Sequence, residues 1–397
     1  MAPRIRILRT REMVNTKLSG ITWDHSRGFL PMAATAQRYV EMHPDLDLDW
    51  RKRTLYEFGH QSIEELANKF DLLVIDHPFV GFAAAHDVIH PLEELIAEDF
   101  LAEQASNSVG DSHRSYEYAG HQWALAIDAA TPVSAFRLDL IESKGLRVPE
   151  TWDDLLVLAR GGHVIVAGSP VDSLMTLYAF CCAFGEEPFG TEKFFVHEET
   201  GIRALEGLRE LMALVDPMSY ELNPIRTYEL MVATDRFAYS PIAYGYSNYA
   251  IDGYARRQLS FGGLITMPNG RHLRSTLGGT GLAISRRCAG EKLSRAADYT
   301  KFVASPPVQR SIYTRSGGQP AHLSAWHDSA NNAASNNFFY ATMQTMIEAY
   351  MRPRYNGYMY FQENGGAMVN EYLKDGGAAR RALNGLNNLY RDSQIRT

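Results

Sequence analysis

The chain is poor in cysteine: Cys181, Cys182 and Cys288 are the only three in 397 residues. Two adjacent cysteines rarely close a disulfide, and the spacing matches no zinc pattern, so all three read as packing residues and no metal is expected. No run of about 18 or more apolar residues occurs, which argues against membrane insertion through an apolar helix. Excess positive charge is missing as well, since 39 Lys and Arg face 46 Asp and Glu and leave a net charge of −7. That balance gives no support for a nucleic-acid or anionic-membrane partner. HExxH and GxSxG signatures are absent, and Gly278, Gly279 and Thr280 lack the spacing and the Lys of a phosphate loop, so no cofactor is expected. The N-terminus carries Arg4, Arg6, Arg9 and Arg11 without an apolar core region. Residues 1–16 therefore read as a basic arm rather than a secretory signal.

What is present begins at Leu18. Leu18, Ile21 and Trp23 alternate with small or polar residues, a short buried strand that runs into Asp24, His25, Ser26, Arg27 and Gly28. Residues 29–43 follow as a helix. Leu46, Leu48 and Trp50 alternate with Asp45, Asp47 and Asp49, which predicts a half-exposed second strand. Ser62 with Glu65 predicts a capping box opening a helix over 62–70, and 71–76 (DLLVID) is a continuous apolar strand of the kind a parallel sheet buries on both faces. The β-α-β-α-β order predicts an α/β fold whose ligands sit at the C-terminal edges of the strands. Polar clusters stand at two such edges, around Asp24 and around Asp76.

Further along, Pro91 predicts a helix start, and residues 120–136 predict two apolar strands broken at 128–132, a crossing between domains. Helices are expected at 138–144, 153–159, 174–184, 202–215, 228–234 and 292–303. Strands are expected at 164–167, 237–246 and 277–284, the last with a Gly-Gly turn at its start. Beyond Ala325 the chain reads as helical, with breaks at Pro353, Asn356–Gly357 and Gly365–Gly366. A chain of this length suits two lobes, each with its own core.

Taken in order, the segments ITWDHSRGF, DLLVIDHPF, WALAIDAATPVSAF, LDLIESKGLRVPETWDDLL, LGGTGLAIS and SGGQPAH resemble a family 1 extracellular solute-binding protein, the sugar-binding class associated with ABC importers. The resemblance implies an α/β, two-lobed periplasmic-binding-protein-like fold of type II, with the ligand cleft between the lobes. It places lobe one at 17–129 plus 276–318 and lobe two at 130–275 plus 319–397, joined by a hinge that closes on ligand. An ABC permease partner and a periplasmic location follow from the resemblance, whereas the missing signal and the Met that opens the arm point to a cytoplasmic protein.

Trp23, Asp24, His25 and Arg27 lie on a loop that the resemblance places at the cleft; the plain alternative is a solvated turn whose Asp caps the next helix. Asp24 offers acceptors to ligand hydroxyls, while Arg27 offers a planar fork to a carboxylate, sulfate or phosphate. These predict different ligands. Asp76 and His77 correspond to a family position that touches ligand, against a turn cap and a core histidine. Asp128 is expected either on ligand or holding the hinge backbone. Tyr244, Tyr246 and Tyr249 form the densest aromatic cluster, suited to sugar faces, to cationic ammonium groups, or to a core edge. Gly279 and Thr280 permit close backbone approach to a ligand or to the hinge, and Gln319 contributes from the last crossing.

No catalytic residue is assigned. Asp24–His25 and Asp76–His77 are adjacent pairs, and neighbours on extended chain point to opposite faces. The expected function is to bind a small polar solute, a carbohydrate or polyol by resemblance, as the substrate-binding component of an ABC importer. The competing reading is a cytoplasmic enzyme acting on a small organic molecule with a binding-protein scaffold.

Overall fold

A computed structural model describes residues 16–395, so the basic arm, apart from Thr16, lies outside the described residues. Strand β1 (Thr16–Trp23) is followed by helix α1 (Ser26–Met42), β2 (Leu46–Arg53) and β3 (Leu72–Ile75). β1 pairs in parallel with both β2 and β3. All four residues of β3 are buried, as befits an apolar strand covered on both faces. The chain next forms β4 (Leu125–Ala130) and, after Thr131 alone, β5 (Pro132–Phe136). Helix α2 (Pro170–Ala183), β6 (Tyr239–Tyr244), β7 (Ser260–Gly262), β8 (Gly278–Ile284) and helix α3 (Tyr358–Asp375) complete the framework used below.

Two main sheets result, one ordered β2-β1-β3-β8-β4 and one ordered β6-β5-β7. β4 and β5 are consecutive yet belong to different sheets, so the chain crosses between them at Thr131. β8 brings it back, antiparallel to both β3 and β4. A third passage runs beside the first: the Ala129 N–H donates to the Gln319 carbonyl at 2.9 Å, and Asp128 bridges Pro320. The broken apolar stretch of the sequence is this joint.

Apolar clusters flank the sheets, and one of them, with Ile21, Leu73, Val133, Ala135 and Phe261, is shared by both. Leu18, Met32, Trp50, Val74, Leu282 and Tyr299 fill the space between the large sheet and the helices Ser26–Met42 and Gly290–Ala304. Leu155, Phe180, Leu205, Leu208, Phe361 and Leu386 belong to a second, mostly helical core. Apolar residues at helical spacing on Glu198–Met212 supply part of it.

Several expectations fail locally. The helix expected at Pro91 is a single 3-10 turn, Leu92–Glu94, and Val164–Ala167 makes an isolated bridge from Val164 to Tyr239 instead of a strand ladder. Ser62 accepts the Glu65 N–H, but the reciprocal boxes are at Thr54–Glu57 and Thr151–Asp154. The first of these opens a short helix, Leu55–His60, that the apolar pattern did not predict. Gly278 and Gly279 lie inside β8 and not in a turn; Gly279 has φ 105°, and a Cβ there would stand 2.2 Å from the Asp128 carbonyl oxygen.

A break was also expected at Gly365–Gly366, yet α3 runs through it. The reason is tertiary. A Cβ on Gly366 would lie 2.8 Å from the Pro170 carbonyl oxygen at the start of α2, whereas one on Gly365 would meet only side chains, at 3.4 Å or more. Ala normally gains about 1 kcal/mol over Gly inside a helix. Gly365→Ala should therefore be neutral or stabilising in equilibrium urea unfolding, while Gly366→Ala should lose about 1–2 kcal/mol because backbone must move. Equal effects would show that the approach of α2 to α3 is not what requires glycine.

Candidate functional site

β1 delivers its last residues to the joint. His25 caps α1, its Nδ1 accepting the Arg27 N–H at 3.0 Å, and this sends the Arg27 side chain inward, where it is only 4% exposed. Arg27 Nε donates to Asp128 Oδ2 at 2.9 Å, Nη2 donates to Asp128 Oδ1, and Nη1 donates to the Gly245 carbonyl at 2.8 Å. Its guanidinium lies 4.7 Å from the centre of the Tyr246 ring. The His25 ring meets Tyr246 edge-on at 4.7 Å, and Ser26 Oγ hydrogen-bonds Tyr254 Oη at 2.6 Å. The large sheet, the crossing and the exit of the small sheet thus converge on one cation. Burial, then Arg27, lowers the His25 imidazole to about 4, so it is neutral near pH 7. Burial pushes the Asp128 carboxyl up, with Arg27 opposing.

Gln319 belongs to the same knot: its Nε2 donates to the Ala129 carbonyl at 2.8 Å and its Oε1 accepts the Ser247 N–H at 3.1 Å. Thr280 pairs with Asp128 across the β8–β4 ladder, and its buried Oγ1 has no partner among the described residues.

The second predicted cluster gains a residue the sequence reading missed. Arg352 Nη2 donates to both Asp76 oxygens at 2.7 Å, Nη1 donates to Gln362 Oε1 at 2.9 Å, and Nε donates to the Leu277 carbonyl at 3.3 Å. Burial alone would raise the Asp76 carboxyl, but Arg352, with His77, outweighs it and holds it at about 2. His77 is fully buried beside Tyr116, and burial followed by Arg352 lowers it to about 4. Tyr244 closes this side, its hydroxyl sharing a hydrogen bond with Thr276 at 2.9 Å.

Two predicted residues stand elsewhere. Trp23 is 3% exposed and packs in the core against Phe58 at 5.3 Å. Asp24 turns outward to Lys52 Nζ at 2.7 Å. Trp23 faces Arg53 in the strand register, so the basic run Arg51–Arg53 beside Asp24 was the available signal for a surface pair. Asp24 is turned out to Lys52, away from His25; Asp76 and His77, expected to point to opposite faces, instead meet at 3.2 Å between Oδ1 and Nδ1, but Asp76 is committed to Arg352, so neither pair is a free acid–base dyad. Burial raises the Cys181 thiol and pushes Cys182 up to about 12, which removes thiolate character. Among the described residues no group of His, Cys, Asp and Glu is arranged to hold a metal, and no helix is long and apolar enough to cross a membrane.

With this geometry in view, comparison with known proteins is direct: residues 61–339 match the bacterial extracellular solute-binding protein family. The chain belongs to that family. It is 24% identical over 120 residues to a maltotriose-binding protein of Pyrococcus abyssi, covering 30% of this chain and 25% of that one. It is 27% identical over 136 residues to a mannitol-binding protein of Pseudomonas aeruginosa, covering 33% and 30%. The matched stretches thus span less than a third of either relative. In three dimensions the chain resembles maltose-bound MalE3 of T. maritima, with a TM-score of 0.80 at 16% identity, over 95% of this chain and 99% of that one. The fold is therefore the two-lobed α/β fold of solute-binding proteins.

Asp172, in the first turn of α2, was also missed, because an acidic residue after Ser169–Pro170 reads as a helix start and nothing more. Burial raises its carboxyl to about 7, against a single opposing hydrogen bond from Ser169 Oγ at 2.6 Å. A carboxyl raised on folding favours the protonated native state, so its ionisation lowers stability as pH rises from about 4 to about 7. Asp172→Asn should remove that loss and raise stability at pH 8 by roughly 2–4 kcal/mol in urea unfolding, with little change at pH 4. An unchanged pH profile would show that Asp172 is solvated like a surface carboxylate.

Proposed function

We propose that the protein binds a small polar solute, a carbohydrate or polyol, in the cleft between its lobes and serves as the substrate-binding component of an ABC importer. One observation carries this reading: both buried guanidiniums at the joint, Arg27 and Arg352, are already paired with the protein's own carboxylates, Asp128 and Asp76. An anionic solute would have to displace one of them. What remains for a ligand is aromatic surface and hydrogen-bonding groups around Tyr244 and Tyr246, which suits the mixed apolar and hydroxylated faces of sugars.

Residues 17–129 with 276–318 and 130–275 with 319–397 are the proposed lobes, hinged near Thr131, Ser275 and Gln319. His25, Arg27, Asp76, His77, Asp128, Gly279, Thr280 and Gln319 are proposed to line or support the cleft floor, and Tyr244 and Tyr246 its aromatic wall. The curated relatives, a maltotriose-binding and a mannitol-binding protein, support the solute class. Membership of a solute-binding family supports binding over catalysis.

The test is a thermal-shift screen with maltose, maltotriose, mannitol, sugar acids and amino acids. A ligand at about a hundred times its dissociation constant adds about 2.7 kcal/mol of stability. Neutral sugars or polyols should shift the melting temperature and be recovered unchanged, and Tyr246→Ala should weaken the hit about tenfold or more. A response confined to sugar acids, or chemical turnover of the hit, would contradict the reading.

A further inference from the structure

Four arginines are buried among the described residues: Arg27, Arg53, Arg137 and Arg352. Three of them have carboxylates, since Arg27 pairs with Asp128, Arg352 with Asp76, and Arg137 with Asp139 and Asp235. Arg53, the last residue of β2 and 7% exposed, pairs with no carboxylate among the described residues. Its neighbours in the basic run are matched, Arg51 to Asp49 at 3.5 Å and Lys52 to Asp24 at 2.7 Å. Glu57, which acts on Arg53 electrostatically, spends its Oε2 on the Thr54 N–H and hydroxyl in the capping box.

Hydrogen bonding leaves Arg53 short as well. Nη2 donates to the Val74 carbonyl of β3 at 3.2 Å, but the buried Nε and Nη1 have no acceptor among the described residues. Trp23 Nε1, also buried, has none either. Trp23 and Arg53 are register partners at the ends of β1 and β2, so their side chains leave the same face of the sheet. Both pack on one ring: the Arg53 guanidinium lies 5.1 Å from the centre of Phe58, and the Trp23 ring 5.3 Å from it. Phe58 is half-buried on the helix Leu55–His60, whose Tyr56 and Glu57 are exposed. Three unmatched donors thus collect at the C-terminal edge of the parallel strands, where α/β sheets take ligands.

A buried guanidinium without a counter-charge costs more than an unpaired neutral donor, and the aromatic contact with Phe58 offsets only part of that. Burial lowers the Arg53 group to about 10, with Glu57 opposing, so it is still charged near pH 7. A neutral acceptor would satisfy its hydrogen bonds and leave the charge. An oxyanion does both, with delocalised negative charge and several acceptor oxygens. We propose that Arg53 and Trp23 Nε1 bind one small oxyanion, a phosphate or carboxylate group, beneath Phe58 at the edge of the large sheet. The ring yields as the anion enters, because it is only half-buried and stands on a helix of six residues. These residues are not those of the aromatic wall around Tyr244 and Tyr246, so the site does not depend on which solute the cleft takes.

The experiment follows the melting temperature of the full chain while phosphate or acetate replaces chloride at constant ionic strength. In the native chain the shift should rise and saturate with anion concentration. Phosphate also stabilises folded proteins by exclusion from their surface, an effect that neither saturates nor depends on one residue. Arg53→Met removes an unpaired buried charge, so it should melt close to the native chain in chloride and lose the saturable part of the shift. Trp23→Phe keeps a ring, removes the N–H and should weaken the anion about five- to tenfold. No saturation in the native chain, equal shifts in Arg53→Met, or unchanged affinity in Trp23→Phe would overturn the site. Gluconate beside sorbitol separates a free anion from one carried by the solute. If gluconate alone binds, and does so through Arg53, the site stands and the neutral-solute reading falls; if sorbitol binds and no oxyanion does, the site falls and that reading stands.

Discussion

The buried pair between Arg27 and Asp128 is the interaction on which the rest of the structure depends. A guanidinium this deep is tolerable only because every strong partner is supplied at once: a carboxylate from the crossing strand, a carbonyl from beyond the small sheet, and an aromatic face. Each partner comes from a different part of the chain, so satisfying one cation fixes the relative placement of β1, the joint and the exit from β6. Gly279 serves the same knot by letting β8 pass against the Asp128 backbone.

Chemical consequences follow from that structural commitment. A cation spent on the fold is not free to recognise an acid, and the Asp76–Arg352 pair repeats the arrangement on the other side of Tyr244. Burial also holds His25 and His77 neutral near pH 7, so neither adds positive charge beside the two ion pairs. The protein's mild net acidity and the local balance at the joint point in the same direction.

Much of this was legible in the sequence. Period-two alternation located β1, the apolar run DLLVID located β3, and the polar break at 128–132 located the crossing. Arg27, Asp128 and Tyr246 could each be singled out by residue type and position, but not their contact, since Arg27 and Asp128 are 101 residues apart and no local pattern encodes such a pairing. Arg352 was hidden because its segment between two helices has no periodicity. Trp23 misled by being aromatic at a strand end; it packs with Leu18 and Met32, on the other side of the sheet from Ile21. Gly366 misled in the opposite sense, since helix propensity is a local quantity and its role is to admit the Pro170 backbone.

The central claim is that Arg27 and Asp128 act as one unit built into the fold. A double-mutant cycle in equilibrium urea unfolding tests it most directly, using Arg27→Met, Asp128→Leu and the two combined. Each single change leaves a buried charge unpaired and should lose about 3–5 kcal/mol, while the double variant, with no charge left, should lose far less than the sum. Losses that add to within about 0.5 kcal/mol would mean that the two residues are energetically independent and that the joint is held by something else.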